Sequence, residues 1–175
     1  GEGRLVDEDV GVMGGDHQAQ GHTQVLASTV PVVRAYDPAF AYELASIVRD
    51  GVTRMYHEGE DVFYYVTLYN ENYAQPKKPE GIDEGLIRGI YRFADAPDLG
   101  PKAHRARLVG SGSILQQVIA ARDLLAEGAG IAAEIYSAPS FPLLRRDALE
   151  AERFNRLNPK ATPKVPYVST VLGPD

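Results

Sequence analysis

Arg105-Ala-Arg-Leu-Val109, Gly110-Ser-Gly-Ser113, the stretch from Ile114 to Leu125, and Ile131-Ala-Ala-Glu-Ile-Tyr136 decide the fold. The first segment reads as a strand and the glycine-serine run as a tight turn. Ile114, Leu115, Val118, Ile119, Arg122 and Leu125 follow at helical spacing, and the last segment is a second strand. Strand, helix, strand in that order requires a crossover, which is right-handed in nearly all proteins and lays the two strands parallel. The chain therefore reads as α/β.

The same grammar extends in both directions. Val30, Val32 and Val33 open a β-branched run that stops at Tyr36, and Asp37-Pro38 reads as an N-cap followed by proline at the first helical position. Phe40, Leu44, Ile47, Val48, Val52 and Met55 then recur at three and four residues, one apolar helix face extending to about Tyr56. Val62 to Tyr69 is almost pure β-branched and aromatic residue, the composition of a strand buried on both faces. After a loop over 75–81, Glu84 to Tyr91 predicts a helical turn entering a short strand that ends at Phe93. Residues 94–103 are rich in proline, glycine and charge, and a domain boundary is expected there. Beyond Tyr136, a helix from Leu143 to about Leu157 precedes a proline-punctuated tail in which Val168 to Leu172 reads as the start of another strand. Each half has too few strands to close a sheet, so the expectation is two incomplete parallel-sheet units.

Composition bounds the function. The 175 residues are 44% hydrophobic and 24% charged, a globular make-up, and a single domain of this length buries about 70% of its unfolded surface. The net charge of -6 disfavours a phosphate backbone, so no nucleic-acid partner is expected. The absence of cysteine excludes a disulfide framework, a thiolate nucleophile and a Cys-based zinc site, and a cytoplasmic setting is the simplest expectation. No apolar run approaches the roughly 18 residues of a membrane span. The chain starts Gly-Glu-Gly, which suggests a piece of something longer. The Asp7-Glu8-Asp9 cluster reads as a solvated acidic loop, and no metal site is assigned to it.

From Val30 onward the sequence resembles the homodimeric, thiamine diphosphate-dependent pyruvate dehydrogenase (acetyl-transferring) family, within the transketolase-like superfamily. The resemblance rests on Ala35 to Glu43, on Phe63-Tyr-Tyr-Val-Thr67 followed by Asn70-Glu-Asn-Tyr73, on Glu80-Gly81 with Gly89-Ile-Tyr91, on Gly110 to Ile114 and on Val165-Pro-Tyr-Val168. It implies three divisions: residues 1–94 as the C-terminal part of a pyrimidine-binding domain, 95–104 as a linker, and 105–175 as the first part of a transketolase C-terminal-like domain. It also implies an oxidoreductase that decarboxylates pyruvate on thiamine diphosphate with Mg2+ and passes the acetyl group to a lipoyl-bearing dihydrolipoamide acetyltransferase. The family's pyrimidine-side glutamate would lie upstream of Gly1, and the Gly-Asp-Gly diphosphate signature is absent. The isolated chain is expected to be inactive.

The resemblance is weakest at residues 4–24. Where the family carries a loop histidine facing the cofactor, this chain has Asp7, a carboxylate that normally stays ionised in place of an imidazole that trades protons near neutral pH. Val10 to Gln20 read as an insertion before Gly21-His22-Thr23 rejoins the pattern. Residues 11–25 locally resemble γ-glutamyltransferases, in which paired glycines serve an oxyanion and would map to Gly14 and Gly15. No upstream threonine supplies the nucleophile that family needs. The expected proton donors are His22 and His17, against the alternative of solvated loop histidines. Asn70, Glu71, Asn72 and Tyr73 follow a strand, where ligands of open α/β sheets gather, and are the expected cofactor-lining residues. The alternative is a polar turn whose asparagines bond nearby backbone. A non-catalytic dimerisation or regulatory domain is the rival function, with γ-glutamyl acyl transfer by the 11–25 loop ranked behind it.

Overall fold

A computed structural model describes residues 23–173. Strand β1 (Val33–Tyr36) leads into helix α1 (Ala41–Val52), which widens into a π-turn over Thr53–His57 before β2 (Phe63–Val66). Helix α2 (Asp83–Arg88), β3 (Tyr91–Ala94) and β4 (His104–Gly110) follow. A single 3-10 turn, Gly112–Ile114, feeds α3 (Leu115–Ala129), then come β5 (Ile131–Ser137), α4 (Phe141–Leu157) and α5 (Tyr167–Leu172).

β1 and β2 form a two-stranded parallel sheet in register Val33 with Phe63 and Tyr36 with Val66. The second sheet runs β3-β5-β4. Its β4 and β5 are parallel and joined through α3, as the strand-helix-strand reading expects. β3 lies antiparallel on the other edge of β5. The architecture is α/β, with one antiparallel edge on an otherwise parallel pair.

Three expectations from the sequence are corrected. The strand expected over residues 62–69 shrinks to Phe63–Val66, and it is only half buried, with Phe63 50% exposed, because a single neighbouring strand covers it. Asp37 does not cap α1; the helix starts four residues later with Phe40 at its N-cap, and the Asp37 side chain points elsewhere. Residues 168–172 are helical, within α5. Residues 95–103 connect β3 to β4, and β3 hydrogen bonds in the same sheet as β4 and β5.

The two sheets share their packing. Tyr36 and Ile47 from the first meet Ile82, Leu86, Tyr91 and Leu143 in one buried cluster. A second cluster sets Ala39 and Phe40 against Leu115 and Ile135, with the rings of Phe40 and Phe93 stacked at 5.4 Å. A third places Ile90, Tyr136, Ala138 and Leu144 beneath α5. Burial of this kind contributes about 1.5–3 kcal/mol per large side chain, so the shared clusters weld the sheets together.

Backbone polar groups explain how β1 tolerates having one strand neighbour. Its outer edge is satisfied by the β5–α4 segment: the Ser140 hydroxyl donates to the Ala35 carbonyl at 2.6 Å, Arg146 to the Val33 carbonyl at 3.0 Å, and the Asp37 N–H to the Pro139 carbonyl at 2.7 Å. Buried backbone groups left unpaired would each be costly, and here a helix N-terminus stands in for a strand.

Candidate functional site

The C-terminal ends of β1, β2 and β4 converge on Asp37. One carboxylate oxygen accepts from the Thr67 hydroxyl at 2.5 Å and the Tyr69 hydroxyl at 2.9 Å, and the other from the Ser111 hydroxyl at 2.7 Å. The Gly112 N–H donates to the Asp37 carbonyl at 3.1 Å. The turn closes so tightly that a Cβ on Gly112, whose φ is +52°, would sit 2.6 Å from the Asp37 carboxylate. Burial and the neighbouring Asp37 push the Tyr69 hydroxyl above its ordinary pKa, so it stays a hydrogen-bond donor. With three hydroxyls on its oxygens, Asp37 holds strand ends together rather than offering a free base.

This junction forms one end of an open cleft of about 840 Å³. Ile90, Phe141, Leu144, Val168 and Leu172 make most of its wall apolar, Asp37, Tyr69 and Ser111 supply its polar end, and Gln24, Val25 and Ser28 close one side. A largely apolar cleft with a few convergent polar groups outside the carboxyl ends of strands has the general form of a ligand site in an open α/β fold.

A second polar centre lies beneath it. Glu43 is fully buried. Its carboxylate accepts from the Tyr91 hydroxyl at 2.5 Å, the Ser137 hydroxyl at 2.6 Å and the Ala39 N–H at 2.5 Å, and Tyr91 shares a further hydrogen bond with Tyr42 at 2.7 Å. Burial raises the Glu43 carboxyl above the ordinary carboxylate range, opposed by the donors from Ser137, Tyr91, Ala39 and Phe40 that favour its charged form. The same burial, with Glu43 beside it, raises the Tyr91 hydroxyl. This network ties α1 to β3 and β5.

Of the sequence-predicted site residues, the structure brings only part of the Asn70–Tyr73 run into contact. Tyr73 turns inward: its hydroxyl donates to the Ala39 carbonyl and its ring meets Phe40 edge-on at 6.3 Å. Asn70, Glu71 and Asn72 are exposed, immediately beyond Tyr69 at the mouth of the Asp37 junction. His22 and His17 lie outside the described residues, as do Gly14, Gly15 and the Asp7-Glu8-Asp9 cluster. Asp37 and Ser111 are the residues of the junction that sequence reading does not single out as site residues. The signal was present, since an acid directly after one strand and a Gly-Ser-Gly turn directly after another are both strand-end features.

The described residues do not by themselves suit thiamine diphosphate and Mg2+. The fully buried carboxylate, Glu43, is committed to four donors within the fold, and no group of three or more His, Asp or Glu residues is gathered to hold a metal ion among the described residues. No step through that cofactor is derived from them.

The fold and its strand-end junction place the chain among α/β proteins, and comparison with known proteins carries this further. Residues 4–76 match the pyruvate dehydrogenase E1 component middle domain, and residues 89–175 match the transketolase-like C-terminal domain. The chain is 50% identical over 153 residues to the pyruvate dehydrogenase E1 component of Pseudomonas aeruginosa and 45% identical over 153 residues to that of Escherichia coli K12, covering 87% of this chain in each case. A Pichia stipitis transketolase solved with sedoheptulose-7-phosphate aligns with 69% of this chain and 16% of its own, at 20% identity and a TM-score of 0.47. The chain belongs to the pyruvate dehydrogenase E1 component family. It spans 17% of the length of the E1 relatives named above.

Proposed function

We propose that this chain is the segment of a pyruvate dehydrogenase E1 component that joins the end of its pyrimidine-side domain to the start of its C-terminal domain. In the whole enzyme it serves decarboxylation of pyruvate on thiamine diphosphate with Mg2+ and transfer of the acetyl group to the lipoyl arm of a dihydrolipoamide acetyltransferase. The observation that carries this reading is the tandem of two domain matches in one order, with 50% identity sustained across 153 residues. On this reading the assembly is a cytoplasmic homodimer. Asn70, Glu71 and Asn72, exposed beside the Asp37 junction, face the cofactor side of the complete site, Tyr73 supports them from below, and His22, with His17 behind it, takes the proton-donor position.

On this reading the segment works only as part of a larger enzyme. Asp37 and Glu43 fix strand ends and helix starts, while both sheets keep few strands. The test is a transplant: residues 23–173 replace their counterparts in the Pseudomonas aeruginosa enzyme, and pyruvate-dependent ferricyanide reduction is measured. Retained turnover is expected, with a sharp loss when His22 is also brought in and changed to Ala. A folded, dimeric hybrid without turnover would refute the assignment. The isolated 175-residue chain is expected to show no saturable calorimetric binding of thiamine diphosphate with Mg2+.

A further inference from the structure

The apolar cleft opens beside a cluster of arginines on α4. Arg145 and Arg146, with Arg153 two turns further on, line a dimple of about 230 Å³ in which Glu150 is the one acid. Ser28, Pro142 and Arg145 line the main cleft as well, so dimple and cleft share a wall. Arg146 donates to the Val33 carbonyl at 3.0 Å, whereas Arg145 and Arg153 make no hydrogen bond or ion pair among the described residues. The chain as a whole carries a net charge of -6, so its overall field repels anions and any anion held here is held by these local groups.

The cleft behind the arginines is preformed. Helix α4 contributes Phe141, Leu144 and Ala148 to its wall and α5 contributes Val168 and Leu172. Helix α5 is fixed by contacts of its own: the Arg88 guanidinium stacks over the Tyr167 ring at 3.7 Å, and the Tyr167 N–H donates to Asp147 at 2.6 Å. The Asn155 side chain also bonds the Lys164 backbone in both directions, at 2.8 and 2.9 Å. The volume of about 840 Å³ lies within the roughly 300–1,000 Å³ of small-molecule sites. At the junction end the Asp37 carboxylate is spent on the Tyr69 and Ser111 hydroxyls, which leaves the Arg145 guanidinium as the unpaired charge of the lining.

We propose that this hollow binds a single-chain aliphatic carboxylate, with its head on Arg145 and Arg153 and its chain laid past Ala148 and Leu144 to Phe141. A guanidinium fork matches the two oxygens of a carboxylate. The chain covers apolar surface that is open to water, including Phe141 at 53% exposure. From Ala148 to Phe141 the helix rises about 10 Å. An extended chain advances about 3.3–3.6 Å for every three bonds, so about nine bonds, the length of decanoate, fill that distance. The inference is independent of the catalytic reading proposed above, because it uses neither the Asn70–Tyr73 run nor a histidine.

Calorimetric titration of the full chain at neutral pH tests it, with hexanoate, octanoate and decanoate as the chain-length series and octan-1-ol and octylammonium as head-group controls. Each buried CH2 strengthens binding about fourfold, so Kd is expected to fall about 15-fold per two-carbon step. Octanoate should bind at least about tenfold more tightly than octan-1-ol, since its hydrogen bonds to the guanidinium groups are charge-assisted, and octylammonium should show no saturable binding. Arg145→Gln with Arg153→Gln should erase the preference for octanoate over octan-1-ol, and Ala148→Phe, with its fold checked by circular dichroism, should block both. No saturable binding of octanoate, equal affinity for octanoate and octan-1-ol, or affinity independent of chain length would each overturn the proposal in the unaltered chain. So would a head-group preference that survives loss of both arginines, or a folded Ala148→Phe chain that binds as before.

Discussion

Replacing Glu43 by alanine should remove the keystone between α1 and the second sheet. The carboxylate sits in a site with no solvent access and accepts from the Tyr91 and Ser137 hydroxyls and from the backbone of Ala39 and Phe40. After truncation Tyr91 can turn to Tyr42, its neighbour at 2.7 Å, but the Ser137 hydroxyl and the Ala39 N–H have no other partner. A buried donor left unpaired costs about 1–3 kcal/mol, so two of them put the loss at about 2–6 kcal/mol. That is a large part of the 5–15 kcal/mol typical of a domain. Glu43→Gln keeps a carbonyl for Ala39 and turns an amide toward hydroxyls that can rotate to accept, so it should cost about 1 kcal/mol or less. Urea unfolding followed by circular dichroism reads both, with the slope checked for constancy. An alanine variant within about 1 kcal/mol of the glutamine variant would refute the keystone role.

The pH dependence follows with a definite sign. Burial holds the Glu43 carboxyl above its ordinary value, so the folded state keeps a proton that the unfolded chain releases. Its stabilising contribution is therefore complete below the ordinary carboxylate range and lost as pH rises through the raised folded value. The wild-type chain should lose stability relative to Glu43→Gln over that interval, as measured by the difference in urea midpoints, and a difference that widens in the opposite direction would reverse the assignment.

Gly112→Ala should destabilise by about 1–3 kcal/mol, because its left-handed φ disfavours any side chain. The new Cβ would also press on the Asp37 carboxylate; a thermal melt unchanged within error would show that the turn relaxes freely. Leu86→Ala empties the centre of the cluster shared by the two sheets. It should cost about 2–5 kcal/mol in urea unfolding, with the spectroscopic signals of both sheets lost in one transition.

How much could be read from the sequence differs by element. The strand-helix-strand of β4, α3 and β5 was legible because a helix needs a 3.6-residue apolar period and its flanking glycines and β-branched residues punctuate the ends locally. The aromatic run at 62–69 was legible as a strand, but its length and burial were not, since those depend on how many neighbours a strand has. Asp37 was read as a cap because Asp-Pro before an apolar period is a local capping pattern; its carboxylate instead serves Thr67, Tyr69 and Ser111, which lie 30 to 74 residues away. Asn70 to Tyr73 were found by their place after a strand, and only contact geometry separated half-buried Tyr73 from its three exposed neighbours.

By itself, then, the sequence determined the α/β class, the parallel crossover around Gly110 to Ser113 and the family, because periodicity, turn chemistry and motif order are all written within short windows of chain. Tertiary structure decided the rest. It moved β3 into the second sheet, covered the edge of β1 with the start of α4, and chose which carboxylates became structural. Hydrogen bonds between distant segments and the burial of shared apolar faces exist only once the chain has closed on itself, and no local pattern encodes which partner each group will find.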